Sequence, residues 1–311
     1  MQGLWQQTLC LSFPLSTRSD LKTDLSGRTS LVTGANQGIG YATALELAKR
    51  GATVHMVCRN AERGEKARDS IVKETGNASV HLHVADLSSV TAVKKVAADI
   101  KATNKPLHIL CNNAGALINP RTETLEGLEI NFATNTLAAF VLTEELLPLL
   151  RSSAPSRVVT VSSGGQYTED LVTDDLQWTS SGFDGARQYA RDKRRQTALT
   201  EWWAADPANA GVVFTAMHPG WADTDAVRTS LPDFYNALKD KLRTPEQGAD
   251  TVFWLCCVPA EKLHSGGFYF DRKVTSTHLQ MAGTQYEPSK VDELVKRLRE
   301  VVADVMAATK G

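Results

Sequence analysis

Tyr189 and Lys193 lie four residues apart in "ARQYARDKRRQ", a stretch of helical character, so their side chains project from one face a turn apart. A phenol with a free pKa of about 10 is a poor base at neutral pH unless a nearby cation favours its ionised form. An ammonium one turn away is such a cation. Taken alone, the Tyr-x-x-x-Lys spacing describes any amphipathic helix face, and its chemistry depends on what stands around it. A second grouping is "SLVTGANQGIGY" at 30–41, in which three glycines follow a short apolar run.

That run reads as a strand and the residues after it as a helix, so the glycines fall at a strand-to-helix turn. Gly34 would make the turn, Gly38 would let the backbone reach a pyrophosphate, and Gly40 would let the helix lie close to the strand. The unpaired N–H groups and dipole of a helix start favour negative charge. The spacing is Gly-x-x-x-Gly-x-Gly, with Asn36, Gln37 and Ile39 between. About 20 residues on, an acidic side chain would meet the ribose 2′-OH of NAD, whereas Arg accommodates a 2′-phosphate. The second strand ends "HMVCRN", which puts Arg59 there and favours NADP(H), with NAD(H) the alternative; a solvated strand-end Arg is the plain reading.

These groups need a scaffold, and the chain supplies one. Short β-rich runs at Ser30–Thr33, Thr53–Cys58, Val80–Ala85, His108–Asn112, Val158–Ser162, Val212–Met217 and Gly267–Phe270 alternate with helical patterns. Alternation of this kind predicts an α/β fold: a single Rossmann-type, doubly wound parallel sheet of seven strands flanked by helices. Gly51 should end the first helix. Thr244-Pro-Glu-Gln247 announces a capped helix, and another should start near Ser289 with Asp292 completing a capping box. The apolar face of that last helix, Val291 to Val305, should pack on its own chain, a homo-oligomer contact being the alternative. The boundaries predicted are an extension at 1–26, the sheet domain at 27–275 and a helical extension at 276–311.

Composition is that of a globular protein, 42% hydrophobic and 22% charged, and 34 Lys plus Arg against 35 Asp plus Glu give no electrostatic reason to expect nucleic acid or an anionic membrane as partner. Cys10, Cys58, Cys111, Cys256 and Cys257 form no CxxC pair; an odd count without framework spacing points to a reducing, cytoplasmic compartment. Residues 1–20 lack the basic start and continuous apolar core of a secretory signal and read as a frayed terminus, with a membrane-surface anchor as the alternative. His81 and His83 share a strand face but lack partners for a metal set, so no metal is expected.

Several landmarks also fall in order: Thr33-Gly34-x-x-x-Gly38-Ile39-Gly40, Asp86, Asn112-Asn113-Ala114-Gly115, Asn135, Ser163, Tyr189-x-x-x-Lys193 and Pro219-Gly220. Over about residues 27–275 the chain resembles the short-chain dehydrogenase/reductase family. The resemblance implies hydride transfer between a nicotinamide and the carbonyl or alcohol of a small molecule. It implies that Tyr189 gives or takes the proton, that Lys193 lowers its pKa and binds the nicotinamide ribose, and that Ser163 binds the substrate oxygen. Asn135 would hold a water of the proton relay. Asn112, Ala114 and Gly115 would line the cofactor, Asp86 with Leu87 would meet the adenine, and Pro219, Gly220, Trp221 and Thr224 would border the nicotinamide amide and phosphates. Ser162 competes with Ser163 in the alignment.

Two departures bear on that reading. Asp192 stands where the family often has a small polar residue, and a carboxylate there could raise the tyrosine pKa. The stretch between Ser163 and Tyr189 is long and should shape one wall of the cleft. Residues 221–243 are expected to form a movable cover, whose Trp221, Val227, Leu231, Phe234 and Tyr235 suggest a lipophilic substrate. The rival reading is a non-catalytic NADP(H)-binding sensor or partner protein with the same fold.

Overall fold

The structure, a computed structural model, describes residues 23–224, 228, 230, 232–279 and 282–309, with residue 234 described in its backbone alone. The expected 1–26 extension therefore lies almost wholly outside the described residues, as do Cys10, Val227 and Leu231. Eight strands form one sheet in the order β3-β2-β1-β4-β5-β6-β7-β8. They are β1 (Thr29–Thr33), β2 (Thr53–Cys58), β3 (Val80–Val84), β4 (Ile109–Asn112), β5 (Ser156–Val161), β6 (Val212–His218), β7 (Phe268–Phe270) and β8 (Lys273–Thr275).

Strands β1 to β7 run parallel, as runs of Val, Ile and Leu covered on both faces should. The order reverses between β1 and β4, so a crevice opens at the carboxyl ends of those two strands. The expected count of seven is corrected to eight: β8 pairs antiparallel with β7 through a two-residue turn. Asp271 and Arg272 both have positive φ, 48° and 61°, the conformation of a tight hairpin that sequences usually mark with Asn-Gly. No glycine marks it here.

Helices cover both faces: α1 (Gly38–Lys49), α2 (Ala61–Thr75), α3 (Val90–Ala102), α4 (Ala138–Ser152), α5 (Gly185–Ala205), α6 (Pro232–Leu238), α7 (Pro245–Cys257) and α8 (Pro288–Ala308). On one face α3, α4, α5 and α8 pack around Leu31, Leu110, Val158 and Phe214. On the other, α1 and α7 enclose Val32, Met56, Cys111 and Val159. Gly51 takes φ 81° as the chain leaves α1, and Thr244 with Gln247 forms the expected capping box of α7. The capping box expected for α8 does not form, because the helix starts at Pro288 with Glu287 before it and no side-chain cap. Asp292 instead accepts from Trp202 Nε1 at 2.9 Å, which ties α8 to α5. Cys58, Cys111, Cys256 and Cys257 are buried free thiols. No helix among the described residues is long and apolar enough to cross a membrane.

Candidate active site

The glycine turn sits at the carboxyl end of β1. Gly34 and Gly38 have φ of 65° and 56°, which L side chains rarely adopt. At Gly40 a Cβ would lie 2.3 Å from the Gly34 carbonyl oxygen, so only glycine lets α1 start this close to the strand. Gln37 precedes α1 without a side-chain cap bond, so the first N–H groups of the helix are left to an outside acceptor. Asn36 is half-buried and Gln37 exposed; Ile39 packs toward Gly248 of α7. Thr224 stands over the turn, 3.4 Å from where a Cβ on Gly38 would be. These features fit a pyrophosphate: a backbone cradle that one methyl would fill, facing a helix start.

The turn is braced from β4. Thr33 Oγ1 accepts from Asn113 N (2.9 Å) and Ala114 N (3.0 Å), and Asn113 Nδ2 donates to Thr33 O at 2.9 Å. Ala114 packs directly on Gly34, while Gly115 is exposed beside Lys193. The Asn112 side chain turns inward, donating to Thr143 Oγ1 at 3.0 Å, and is buried. Asn113, named in the sequence motif but given no role there, thus does the bracing; adjacent residues at a strand end point to opposite faces, and that alternation was the available signal. At the far side of the crevice Arg59 is exposed after β2, and Asn60 caps α2 by accepting from Arg63 N. Asp86 is exposed, its Oδ1 accepting from Ser88 N and Oγ, with Leu87 buried behind it.

The proton-transfer candidates meet where β5 ends against α5. The Ser163 hydroxyl stands near enough to the Tyr189 phenol to favour its ionised form, and Lys193 Nζ lies 5.2 Å from the Tyr189 ring centroid. Ser162 points away, donating to Lys193 O at 2.9 Å inside the core, so the two serines divide between cleft and core. Burial pushes the Tyr189 phenol up to about 12; the Ser163 hydroxyl pulls it down and the Asp192 carboxylate pushes it further up. Burial likewise pushes Lys193 down to about 8, against the favourable Asp192 charge, and its ammonium donates to Val161 O (2.8 Å) and Gln196 Oε1 (3.1 Å).

Asn135 lies in a π turn, Phe132–Leu137, ahead of α4. Its side chain reads the main chain of Ala116 with both ends, Oδ1 accepting from N and Nδ2 donating to O, each at 2.8 Å. Its own carbonyl accepts from Gln196 Nε2 at 2.6 Å. Asp192 is fully buried, accepting from Thr136 Oγ1 (2.8 Å) and pairing with Arg195 at 2.9 Å. Burial pushes its carboxyl above the usual range in spite of those partners.

The segment after Ser163 is laid along α5. Glu169 pairs with Arg187 and Arg191, Arg191 stacks 3.9 Å from the Trp178 ring, and Arg195 donates to Val172 O and Leu176 O. After β6, Arg243 donates to Pro219 O and pairs with Asp271, and a Cβ at Gly220 would strike its guanidinium. Trp221 is half-buried, edge-on to His218. His218 is buried with Nδ1 unpartnered, stacks on Phe270, and is pushed down to about 3 by burial and by Arg243. It stands behind Gly164, next to Ser163. Nothing in the sequence spacing marks this histidine, although it directly precedes Pro219. Of the cover, Tyr235 lies under Arg228, and Ser230 Oγ donates to Leu117 O at 2.8 Å, linking this segment to the loop after β4.

A switch-point crevice with a phosphate cradle at one end and a tyrosine at the other suits a dinucleotide-dependent oxidoreductase. Residues 28–174 match the family model described as short chain dehydrogenase. The chain is 47% identical over 283 residues to dehydrogenase/reductase SDR family member 12 of Bos taurus, covering 91% of this chain and 88% of that one. It is 32% identical over 284 residues to retinol dehydrogenase 11 of Mus musculus, covering 91% and 87%. A short chain dehydrogenase from Shigella flexneri complexed with NADP matches with a TM-score of 0.63 at 25% identity, covering 79% of this chain and 98% of that one. The chain belongs to the short-chain dehydrogenase/reductase family. It is an oxidoreductase that acts on CH–OH and C=O groups of a small molecule with a nicotinamide dinucleotide.

Proposed function

We propose that the protein is an NADP(H)-linked carbonyl reductase or alcohol dehydrogenase for a lipophilic small molecule, with Tyr189 as its proton donor and acceptor. The observation that carries this reading is the Tyr189 phenol beside Ser163 and one helical turn from Lys193, whose Nζ lies 5.2 Å from its ring, at the carboxyl edge of the sheet. When bound, the nicotinamide supplies or accepts a hydride at carbon. Gly34, Gly38, Gly40 and Thr224 would hold its pyrophosphate, Asp86 and Leu87 its adenine, and Ala114, Gly115, Pro219, Gly220 and Trp221 its nicotinamide half.

The work of this chain's own residues is to move a proton at the substrate oxygen. Ser163 Oγ would orient that oxygen toward the Tyr189 hydroxyl, which gives up its proton in reduction and takes one in oxidation. In the protein alone the phenol is pushed the wrong way for a base, up to about 12. The Lys193 ammonium is the group that can offset this, provided it stays charged and aimed at the cleft. Asn135, through its grip on Ala116, fixes the loop that carries Gly115.

Arg59 is exposed at the end of β2, where a 2′-phosphate would lie, and the Shigella relative is complexed with NADP. A half-buried Trp221 at the cleft and relatives named retinol dehydrogenases support the lipophilic substrate. The test is cofactor consumption against aldehydes of graded chain length. NADPH should be used in preference to NADH, and rates should rise with chain length. Arg59→Leu should weaken NADPH binding about 10- to 100-fold, the loss of a charge-assisted contact, with little effect on NADH. Equal use of both cofactors by the unaltered protein, or rates indifferent to chain length, would contradict the respective part.

A further inference from the structure

We propose that Gln196 is a positioning residue for proton transfer, its side-chain amide joining the Lys193 ammonium to the main-chain carbonyl of Asn135 and so setting where that ammonium points. This rests on the reading of Tyr189 and Lys193 just given. Gln196 lies one turn beyond Lys193 on α5 and is 2% exposed. Its Oε1 accepts from Lys193 Nζ at 3.1 Å, and its Nε2 donates to Asn135 O at 2.6 Å. An ammonium has only donors and a carbonyl only acceptors, so the amide fits in one orientation and no other.

The link has rigid ends. On one side Asn135 is clamped to Ala116 by two bonds of 2.8 Å, and on the other Lys193 Nζ also donates to Val161 O at 2.8 Å. Two of the three ammonium protons are thereby directed, which leaves the third for the cleft beside Gly115, where a Cβ would stand 3.6 Å from Nζ. The Asn135 carbonyl thus takes its donor from an amide covalently anchored on α5. A side chain held by its own helix does not exchange with solvent, so the direction of the ammonium is built into α5.

Charged groups nearby are few. On α5 itself Tyr189 and Asp192 adjoin Lys193, with Asp192 paired to Arg195; from the Glu129–Thr136 stretch Glu129 reaches Asp192, and Asn135 and Thr136 are neutral. The end of β5 presents Ser162, Ser163 and the Val161 carbonyl. With the Val161 carbonyl, Gln196 is thus a neutral acceptor that favours the charged lysine in a place where burial pushes it down to about 8. Without it the ammonium form is disfavoured and the phenol loses its cation.

The test is Gln196→Met, which keeps length and volume without the amide, with Gln196→Asn, one methylene too short to span both partners, as a second variant. Tyr189 ionisation is read in the NADP-bound protein as phenolate difference absorbance, assigned by subtracting Tyr189→Phe. Each variant should raise that midpoint by about one pH unit and slow alcohol oxidation about tenfold at neutral pH, with the rising limb moved up equally. NADPH affinity should fall by less than about threefold, because Gln196 is not itself a cofactor contact and Val161 O still holds the Lys193 ammonium. A folded variant whose midpoint coincides with that of the unaltered protein would overturn the proposal and leave Gln196 as a mere partner for a buried carbonyl. Should the unaltered protein turn over nothing while the midpoint shifts as stated, the link stands and the catalytic reading of Tyr189 falls.

Discussion

Asp192 sits in the core, turned toward Thr136 and Asn135, with Arg195 as its counter-charge. Adjacent helical positions diverge, which is why a carboxylate next to Lys193 does not occupy the cleft. Both members of the Asp192 and Arg195 pair are fully buried, so removing one strands the other without water. Asp192→Ala should therefore cost about 3–5 kcal/mol in a denaturant titration, and Asp192→Asn less, since the amide keeps a partner for Thr136. A loss under about 1 kcal/mol for Asp192→Ala would mean that Val172 O and Leu176 O suffice for the guanidinium. At this scale the sequence was informative about residue types and less so about directions. Tyr189, Ser163 and Lys193 were legible from spacing and order. The inward turn of Asn112, the bracing by Asn113 and the bridge through Gln196 depend on which face each side chain takes, and a single polar residue in a helix carries no such mark.

Elements place those residues. The start of α1 is pressed onto β1 at Gly40, and a Cβ there would meet the Gly34 carbonyl at 2.3 Å and Asn113 Nδ2 at 2.4 Å, neither of which can retreat without opening the turn. Gly40→Ala should destabilise the fold by about 1–3 kcal/mol, the usual cost of overpacking, and weaken dinucleotide binding by displacing the helix start. Thermal unfolding and cofactor titration check it; a variant with unaltered values for both would show that α1 can slide. Strand and helix periods made this strand–turn–helix unit readable, because a parallel strand buried on both faces is a plain apolar run. The β7–β8 hairpin was not readable. Its strands are three residues long, β8 is exposed at Lys273 and Val274, and Asp271-Arg272 takes the left-handed turn without glycine. The start of α8 misled for a related reason: Ser289 and Asp292 have the spacing of a capping box, but Pro288 already begins the helix.

For the whole molecule, the sheet and its two helical layers bury imidazoles as well as apolar side chains, and this couples folding to pH. His218 moves from an ordinary 6.5 to about 3 in the folded protein, and His55, hydrogen-bonded to His83 at 2.9 Å, moves to about 4 through burial and its histidine neighbours. Between those values the unfolded chain binds the additional protons. The stability tied to these neutral rings is thus fully present above pH 6.5 and lost as pH falls through the folded values. Unfolding free energy should drop by a few kcal/mol, roughly 1.4 per unit of displacement, from pH 6.5 toward 4, and His218→Phe should flatten part of that decline. Superimposable acid limbs for the two proteins would show that His218 is reached by water.

Proton transfer here turns on one phenol, and turnover by Tyr189→Phe, measured beside its affinity for NADPH, tests that. Loss of the hydroxyl removes the proton donor while leaving the glycine turn, Arg59 and Lys193 in place. Turnover should fall by at least about a thousandfold, within the range of general acid–base contributions, with the dissociation constant for NADPH changed by less than about threefold. A Tyr189→Phe protein that turns over at the unaltered rate would contradict that role of the phenol.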